Sequence, residues 1–202
     1  PIPSRGLGDV YKRQDIDRAA EALKFAKYPI IHTFISTSPV HMQYKLQMKE
    51  DEVLDAINFS VSRARNLVED VQWSAEDATR TDKDFLFKCV DMAINSGATT
   101  INIPDTVGYT TPEEYFEIIS SLINNIPNAD KVVFSTHCHN DLGLAVANSL
   151  SGVRAGARQI ECTMNGIGER AGNAALEEIV MSMKVRNDIL EFESGVETTL
   201  FT

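Results

Sequence analysis

Cations are in short supply. The chain has 19 lysines and arginines against 29 aspartates and glutamates, a formal net charge of −10 over 202 residues. That balance repels phosphate and no basic stripe offsets it, so nucleic acid is excluded as a partner. No run of about 18 apolar residues occurs, so no membrane-spanning helix is expected. Cysteine is scarce as well. Cys89, Cys138 and Cys162 are odd in number, far apart and each set in an apolar segment. They read as reduced core thiols of a cytoplasmic protein, not as a disulfide framework, and no signal peptide pattern opens the chain. What is plentiful excludes disorder: 43% of residues are hydrophobic and 24% charged, a globular balance. At about 150 residues per domain the length allows one domain, large enough to bury a core without a disulfide or structural metal.

Neither end shows a periodic pattern. Residues 1–14 (PIPSRGLGDVYKRQ) carry two prolines and there is no initiator Met. They are expected to be foreign to the fold or a native arm. Residues 15–190 are expected to form the folded domain and 191–202 the start of a downstream linker. Within the domain, strands are predicted at Pro29 to Thr37, Asp70 to Glu76, Thr99 to Pro104, Lys131 to His139 and Gln159 to Asn165. Amphipathic helices separate them. One is capped by Thr81 with Asp84 three residues on and ends at Gly97. Another begins Thr111–Pro112–Glu113–Glu114, an N-cap, a Pro at N1 and a Glu at N3. Strands alternating with helices at a repeat of roughly 30–40 residues demand a parallel sheet with crossover helices. Two architectures qualify, an open doubly wound sheet and a (β/α)8 barrel.

Side-chain parity separates them, because successive residues of a strand point to opposite faces. One face collects His32, Phe34, Ser36, Gln72, Ser74, Glu76, Asn102, Thr106, Ser135, His137, His139, Glu161, Thr163 and Asn165. The other collects Ile31, Ile35, Val71, Trp73, Ala75, Ile101, Ile103, Phe134, Cys138, Ile160, Cys162 and Met164. A doubly wound sheet is covered by helices on both faces and reads as nearly continuous apolar runs. Here only one face suits helices. The polar face suits a barrel lumen, with its polarity gathered at the C-terminal strand ends where barrel sites sit. An antiparallel sheet with one wet face would show the same parity, but the intervening helices argue against it. The expected fold is therefore α/β, a partial TIM barrel of about five of its eight βα units.

The chemistry-bearing segments fall at those strand ends. In Ser135–Thr136–His137–Cys138–His139–Asn140–Asp141 the two histidines share a face. Alone an H-x-H is often incidental; at a barrel strand's end it can form half a divalent-metal site. Asn165–Gly166–Ile167–Gly168–Glu169–Arg170–Ala171–Gly172–Asn173 is not a dinucleotide fingerprint, because its third glycine is one place late. It is either a plain βα turn or a loop that approaches something closely. Asn173 would reach the histidines and could be a third ligand. Glu76 on the polar face is a candidate base or supporting carboxylate, whereas Asp77 reads as a solvated loop residue. Thr106 offers a hydroxyl at the rim. On spacing alone His32 reads as a satisfied core histidine, and His41 needs no role.

The segments HTFISTSPVHMQYKL, VQWSAEDATRTD, TTINIPDTVGYTTPEE, HCHNDLGLAVANSL and GIGERAGNAALEE, in that order across residues 15–188, resemble the 2-isopropylmalate synthase family. Its wider superfamily includes homocitrate and citramalate synthases and hydroxymethylglutaryl-CoA lyases. The resemblance implies a TIM-barrel enzyme, homodimeric when complete, that condenses acetyl-CoA with 2-oxoisovalerate in leucine biosynthesis. It implies a divalent cation (Mn2+, Zn2+, Mg2+ or Co2+) held by His137, His139 and Asn173. His32, Ser74 and Thr106 would lie around the keto acid, with Glu76 in a catalytic role. The family's R-D-G-E-Q motif, with a metal-binding Asp and a catalytic Arg, has no counterpart here. Nor do its first three strands or its C-terminal leucine-binding domain. These 202 residues are thus expected to be strands 4 to 8, inactive alone. A sister superfamily enzyme and a metal-free binding module on a barrel scaffold are the rival readings.

Overall fold

The structure, a computed structural model, describes residues 10–201. Five strands, β1 (Ile30–Ser36), β2 (Asp70–Glu76), β3 (Thr100–Asp105), β4 (Val133–Cys138) and β5 (Gln159–Glu161), form one parallel sheet in the order β1-β2-β3-β4-β5. Sequential order with crossovers of one hand puts every connecting helix on the same face. Helix α1 (Arg13–Ala22) precedes β1. A short turn, α2 (Pro39–His41), runs into π-helical Met42–Leu46, and α3 (Glu50–Arg65), α4 (Lys83–Asn95), α5 (Pro112–Asn125), α6 (Ala145–Arg154) and α7 (Leu176–Val185) follow. The fold class is therefore α/β, and no helix among the described residues is long and apolar enough to cross a membrane.

The apolar strand face forms the core with these helices. Ile31, Ile35, Val71, Trp73, Ala75, Ile101, Ile103, Phe134 and Cys138 are all buried on it. Helix α6 lies close because residue 152 is glycine: a Cβ there would stand 2.5 Å from Thr136 Cγ2 and 2.9 Å from the Tyr115 ring. Tyr115 is fully buried and donates its hydroxyl to the Ile103 carbonyl, so its polar end is satisfied within the core. Burial pushes the Cys138 thiol up to about 12 and raises Cys89 as well. All three cysteines are free thiols, and only Cys162 is less than fully buried. We expect a disulfide exchange reagent at pH 8 to titrate one thiol in the folded chain and three in denaturant. More than one fast native thiol would contradict this burial.

Most strand ends shift by no more than two residues from the sequence expectation, and larger departures occur elsewhere. Helix α4 is capped by Asp82, whose carboxylate accepts from Asp84 N and Phe85 N. Thr81 instead bonds Thr37 Oγ1 and the Asp77 carbonyl. β5 stops at Glu161, because the chain turns at Met164–Gly166 with Asn165 at φ 59°. Met164 is consequently half exposed and not on the core face. The helical stretch after β1 breaks at Gln47 (φ 56°), before the expected break at Glu50–Asp51. Of the expected arm, residues 1–9 lie outside the described residues. Val10, however, pairs with Phe34 across the outer side of β1, and α1 begins at Arg13, so the ordered fold starts before Asp15.

Candidate metal and substrate site

The C-terminal strand ends bring most of the candidate residues together. His137 sits near the end of β4 and His139 just beyond it, and their Nε2 atoms lie 3.0 Å apart. The other nitrogen of each ring is already committed. His137 Nδ1 is 2.8 Å from Glu161 Oε2, and His139 Nδ1 is 2.6 Å from the Thr106 carbonyl. A carboxylate and a carbonyl only accept, so both Nδ1 atoms donate and both Nε2 atoms of the neutral rings carry lone pairs. Two lone pairs facing at that distance repel unless a cation lies between them, either a proton or a metal ion. Burial holds His139 below the usual histidine range. That ring therefore resists protonation and keeps its lone pair.

Asn173 joins them through the backbone. It pairs antiparallel with His139, flanked by Asn140 N to Gly172 O (2.8 Å) and Ala174 N to Cys138 O (3.1 Å). Its Nδ2 donates to the Ile167 carbonyl, and its Oδ1 is buried without a donor. An orphaned amide acceptor on the residue paired with His139 is of the chemistry that, with two imidazole lone pairs, suits a divalent cation. The set is partial: among the described residues, no group of three or more His, Cys, Asp and Glu is placed to hold a metal. Gly168 makes the arrangement possible, since a Cβ there would fall 2.3 Å from Asn173 Nδ2. Gly168→Ala is therefore expected to displace the Asn173 amide. Calorimetry should show divalent-metal affinity at least about 10-fold weaker, the scale on which supporting groups act on metal sites. Unchanged affinity would remove Asn173 from the ligand set.

A second group lines the same face on β1 to β3. His32 Nε2 lies 2.6 Å from Ser74 Oγ, which accepts from Asn102 Nδ2 at 3.0 Å. His32 is exposed on the open face, so it is not the core histidine that spacing suggested. Thr106 Oγ1 accepts from Asp77 N, which leaves its carbonyl for His139. Both oxygens of Glu76 accept from Lys45 Nζ at 2.8 Å, and Lys45 also donates to Ser36 Oγ at 3.0 Å.

Several residues here carry no candidate role in the sequence. Glu161 accepts from Gln72, Asn102 and His137. Burial raises its carboxyl, but the hydrogen bonds from His137 and Gln72 outweigh that and leave it below the usual range, hence ionised. Parity had put Glu161 on the polar face, and that was the available signal. Lys45 arrives from the π-helical turn, a distortion frequent at functional sites. His41, read as needing no role, stands 3.5 Å from Asp77 Oδ2 and 3.9 Å from Glu76 Oε1. Asp77 is fully buried and forked by Arg80, not solvated. Arg170 pairs with Asp141 and donates to the Thr106 carbonyl at 2.8 Å, tying the loops after β3, β4 and β5. Its 2.8 Å approach to His139 Nδ1 brings together two donors that share that carbonyl.

The chain has known relatives. The HMGL-like family model matches residues 10–202, and the chain belongs to that family. Within it the chain is 64% identical over 189 residues to a 2-isopropylmalate synthase of Bradyrhizobium sp., covering 94% of this chain. It is 64% identical over 188 residues to a 2-isopropylmalate synthase of Caulobacter vibrioides, covering 93%. In both comparisons the chain spans 36% of the relative's length. Among solved structures it resembles an HMG-CoA lyase of Acinetobacter baumannii in complex with coenzyme A and 3-methylmalate. There the TM-score is 0.74 at 18% identity, over 94% of this chain and 62% of that one. A hydroxymethylglutaryl-CoA lyase of Pseudomonas aeruginosa gives TM-score 0.73 at 18% identity, over 89% and 61%. At such identities the structural likeness speaks for the fold alone.

Proposed function

We propose that this chain is the second part, strands 4 to 8, of the eight-stranded catalytic barrel of a 2-isopropylmalate synthase. That enzyme would join acetyl-CoA to 2-oxoisovalerate, giving 2-isopropylmalate and free CoA in leucine biosynthesis. The observation that carries the reading is the pair of imidazole nitrogens 3.0 Å apart, with the orphaned amide oxygen of Asn173 on the residue paired with His139. A divalent ion held by His137, His139 and Asn173 would act as a Lewis acid, polarising the carbonyl of a bound 2-oxo acid.

The chain's own residues would do the rest. His32 and Ser74, joined at 2.6 Å, present a polar edge for the keto acid, and Thr106 closes the rim from β3. Glu76 is held in a fixed orientation by Lys45 through both oxygens. It would relay the proton taken from the acetyl methyl group. The new carbon–carbon bond forms at the keto carbon, and water then cleaves the thioester to release CoA as a free thiol. A sheet whose order is β1 to β5 covers only part of such a lumen. Residues 1–202 alone are therefore expected to bind the ion weakly and not to turn over.

The test is a free-thiol assay on the longer enzyme that contains this chain, run with a panel of 2-oxo acids. Release of CoA dependent on 2-oxoisovalerate and on a divalent ion supports the proposal. Preference for another 2-oxo acid overturns the substrate, and turnover that persists after chelation overturns the metal. Full turnover by residues 1–202 alone would refute the incomplete barrel.

A further inference from the structure

We propose that Glu161 is a positioning residue that sets the tautomer of His137 and so keeps the two-histidine site open to a cation. The inference rests on the metal site proposed above and extends it to a residue with no assigned part in that site. Glu161 lies on β5, at the same level as His137 on β4, for the two are register partners. Its carboxylate is held from three strands. Gln72 of β2 donates to Oε1, and Asn102 of β3 donates to Oε2 at 3.2 Å. His137 of β4 reaches the same Oε2 at 2.8 Å. Asn102 also donates to Ser74 Oγ, itself 2.6 Å from His32 Nε2. One carboxylate thus joins the metal side of the face to the substrate side.

The consequence follows from how imidazole pairs. A neutral ring donates from one nitrogen and accepts at the other. With Glu161 accepting at Nδ1, the proton of His137 resides there and its Nε2 is a lone pair. His139 is fixed likewise by the Thr106 carbonyl. Remove the Glu161 acceptor and the His137 proton can move to Nε2, which stands 3.0 Å from His139 Nε2. The two rings would then hydrogen-bond each other and both ligand lone pairs would be spent. Glu161 prevents that self-closure. A carboxylate on the far nitrogen also raises the basicity of a ligand histidine and fixes its ring plane.

The test reads the tautomer directly, in the metal-free chain, by two-bond ¹⁵N–¹H correlation of the His137 ring. The expected wild-type result is a protonated Nδ1 and an unprotonated Nε2. In Glu161→Ala the proton should appear on Nε2, and calorimetric Mn2+ and Zn2+ affinities should fall about 10–100-fold. A thermal melt of the variant separates unfolding from loss of the site. A wild-type His137 protonated at Nε2 overturns the proposal, and that measurement needs no variant to fold. A folded Glu161→Ala with an unchanged tautomer overturns it as well. The expected tautomers without metal uptake by the wild-type chain would support the positioning role while refuting the metal centre, so the two can fail separately.

Discussion

Alanine in place of His139 is expected to weaken divalent-metal binding to this chain by at least about 100-fold, with little loss of stability. The first half follows from ligand count. The proposed site takes three donors from this chain, and a ligand should matter more than the groups that support it, whose loss costs about 10–100-fold. The second half follows from what the ring leaves behind. The Thr106 carbonyl keeps its donor from Arg170 at 2.8 Å. The backbone pairing of residue 139 with Asn173 does not need the side chain. His139 is buried, but its ring is bordered by the Thr106 carbonyl, His137 and Arg170, so what it vacates is a polar space and not a closed apolar cavity. Calorimetric titration with Mn2+ and Zn2+ beside a thermal melt measures both. His41→Ala is the control: that ring faces Asp77 and Glu76, and its loss should leave metal affinity unchanged. Equal affinity in wild type and His139→Ala, or an equal loss in His41→Ala, would move the metal away from β4.

What could be read from the sequence, and what could not, divides along the strands. Inside a strand the side-chain period is two whatever the tertiary context. Parity therefore put His32, Ser74, Glu76, Asn102, His137 and Glu161 on one face, and the structure joins five of them in a single hydrogen-bonded chain. Beyond the strand ends that rule lapses. Asp77, Asn165 and Arg170 all take positive φ without being glycine; Asp and Asn enter that region more readily than other residues, but the sequence does not mark which of them will, and Arg gives no local signal at all. Asp77 is held by the Arg80 fork and Arg170 by Asp141. Once the path turns at such residues, nothing periodic shows where a distant side chain will arrive. Lys45 reaches Glu76 from 31 residues away, and His41 comes to the same carboxylate from the turn before it. The shift of the α4 cap from Thr81 to Asp82 has the same origin. Both residues can cap, and the bond from Thr81 to Thr37 on the neighbouring loop decides which one does.

Loss of the Asp105 side chain, where β3 enters its loop, should be costly to stability, and Asp105→Ala tests it. Asp105 is fully buried. Its oxygens accept from Tyr109 N (3.3 Å), Thr110 N (3.2 Å), Thr110 Oγ1 (2.5 Å) and Thr79 Oγ1 (3.1 Å). Truncation leaves two backbone N–H groups and two hydroxyls short of their acceptor, where water enters poorly. Each stranded buried group costs about 1–3 kcal/mol. With partial relaxation the expected loss is about 3–5 kcal/mol. In a chain of this size that corresponds to a fall in Tm of roughly 6–20 °C. The damage should also reach the site. Thr106 follows Asp105 directly and supplies the carbonyl that fixes His139, and Gly108 of the same loop approaches the His139 carbonyl and the Asp141 carboxylate closely. A loosened loop releases His139 Nδ1, so weaker metal binding should accompany the lower Tm in the fraction still folded. Asp105→Asn retains one acceptor oxygen and should lie between the two. Asp105→Ala melting within about 2 °C of wild type would show that these donors find other partners. A large drop in Tm with metal affinity intact would instead show that the β3 loop serves the fold and does not hold the histidine.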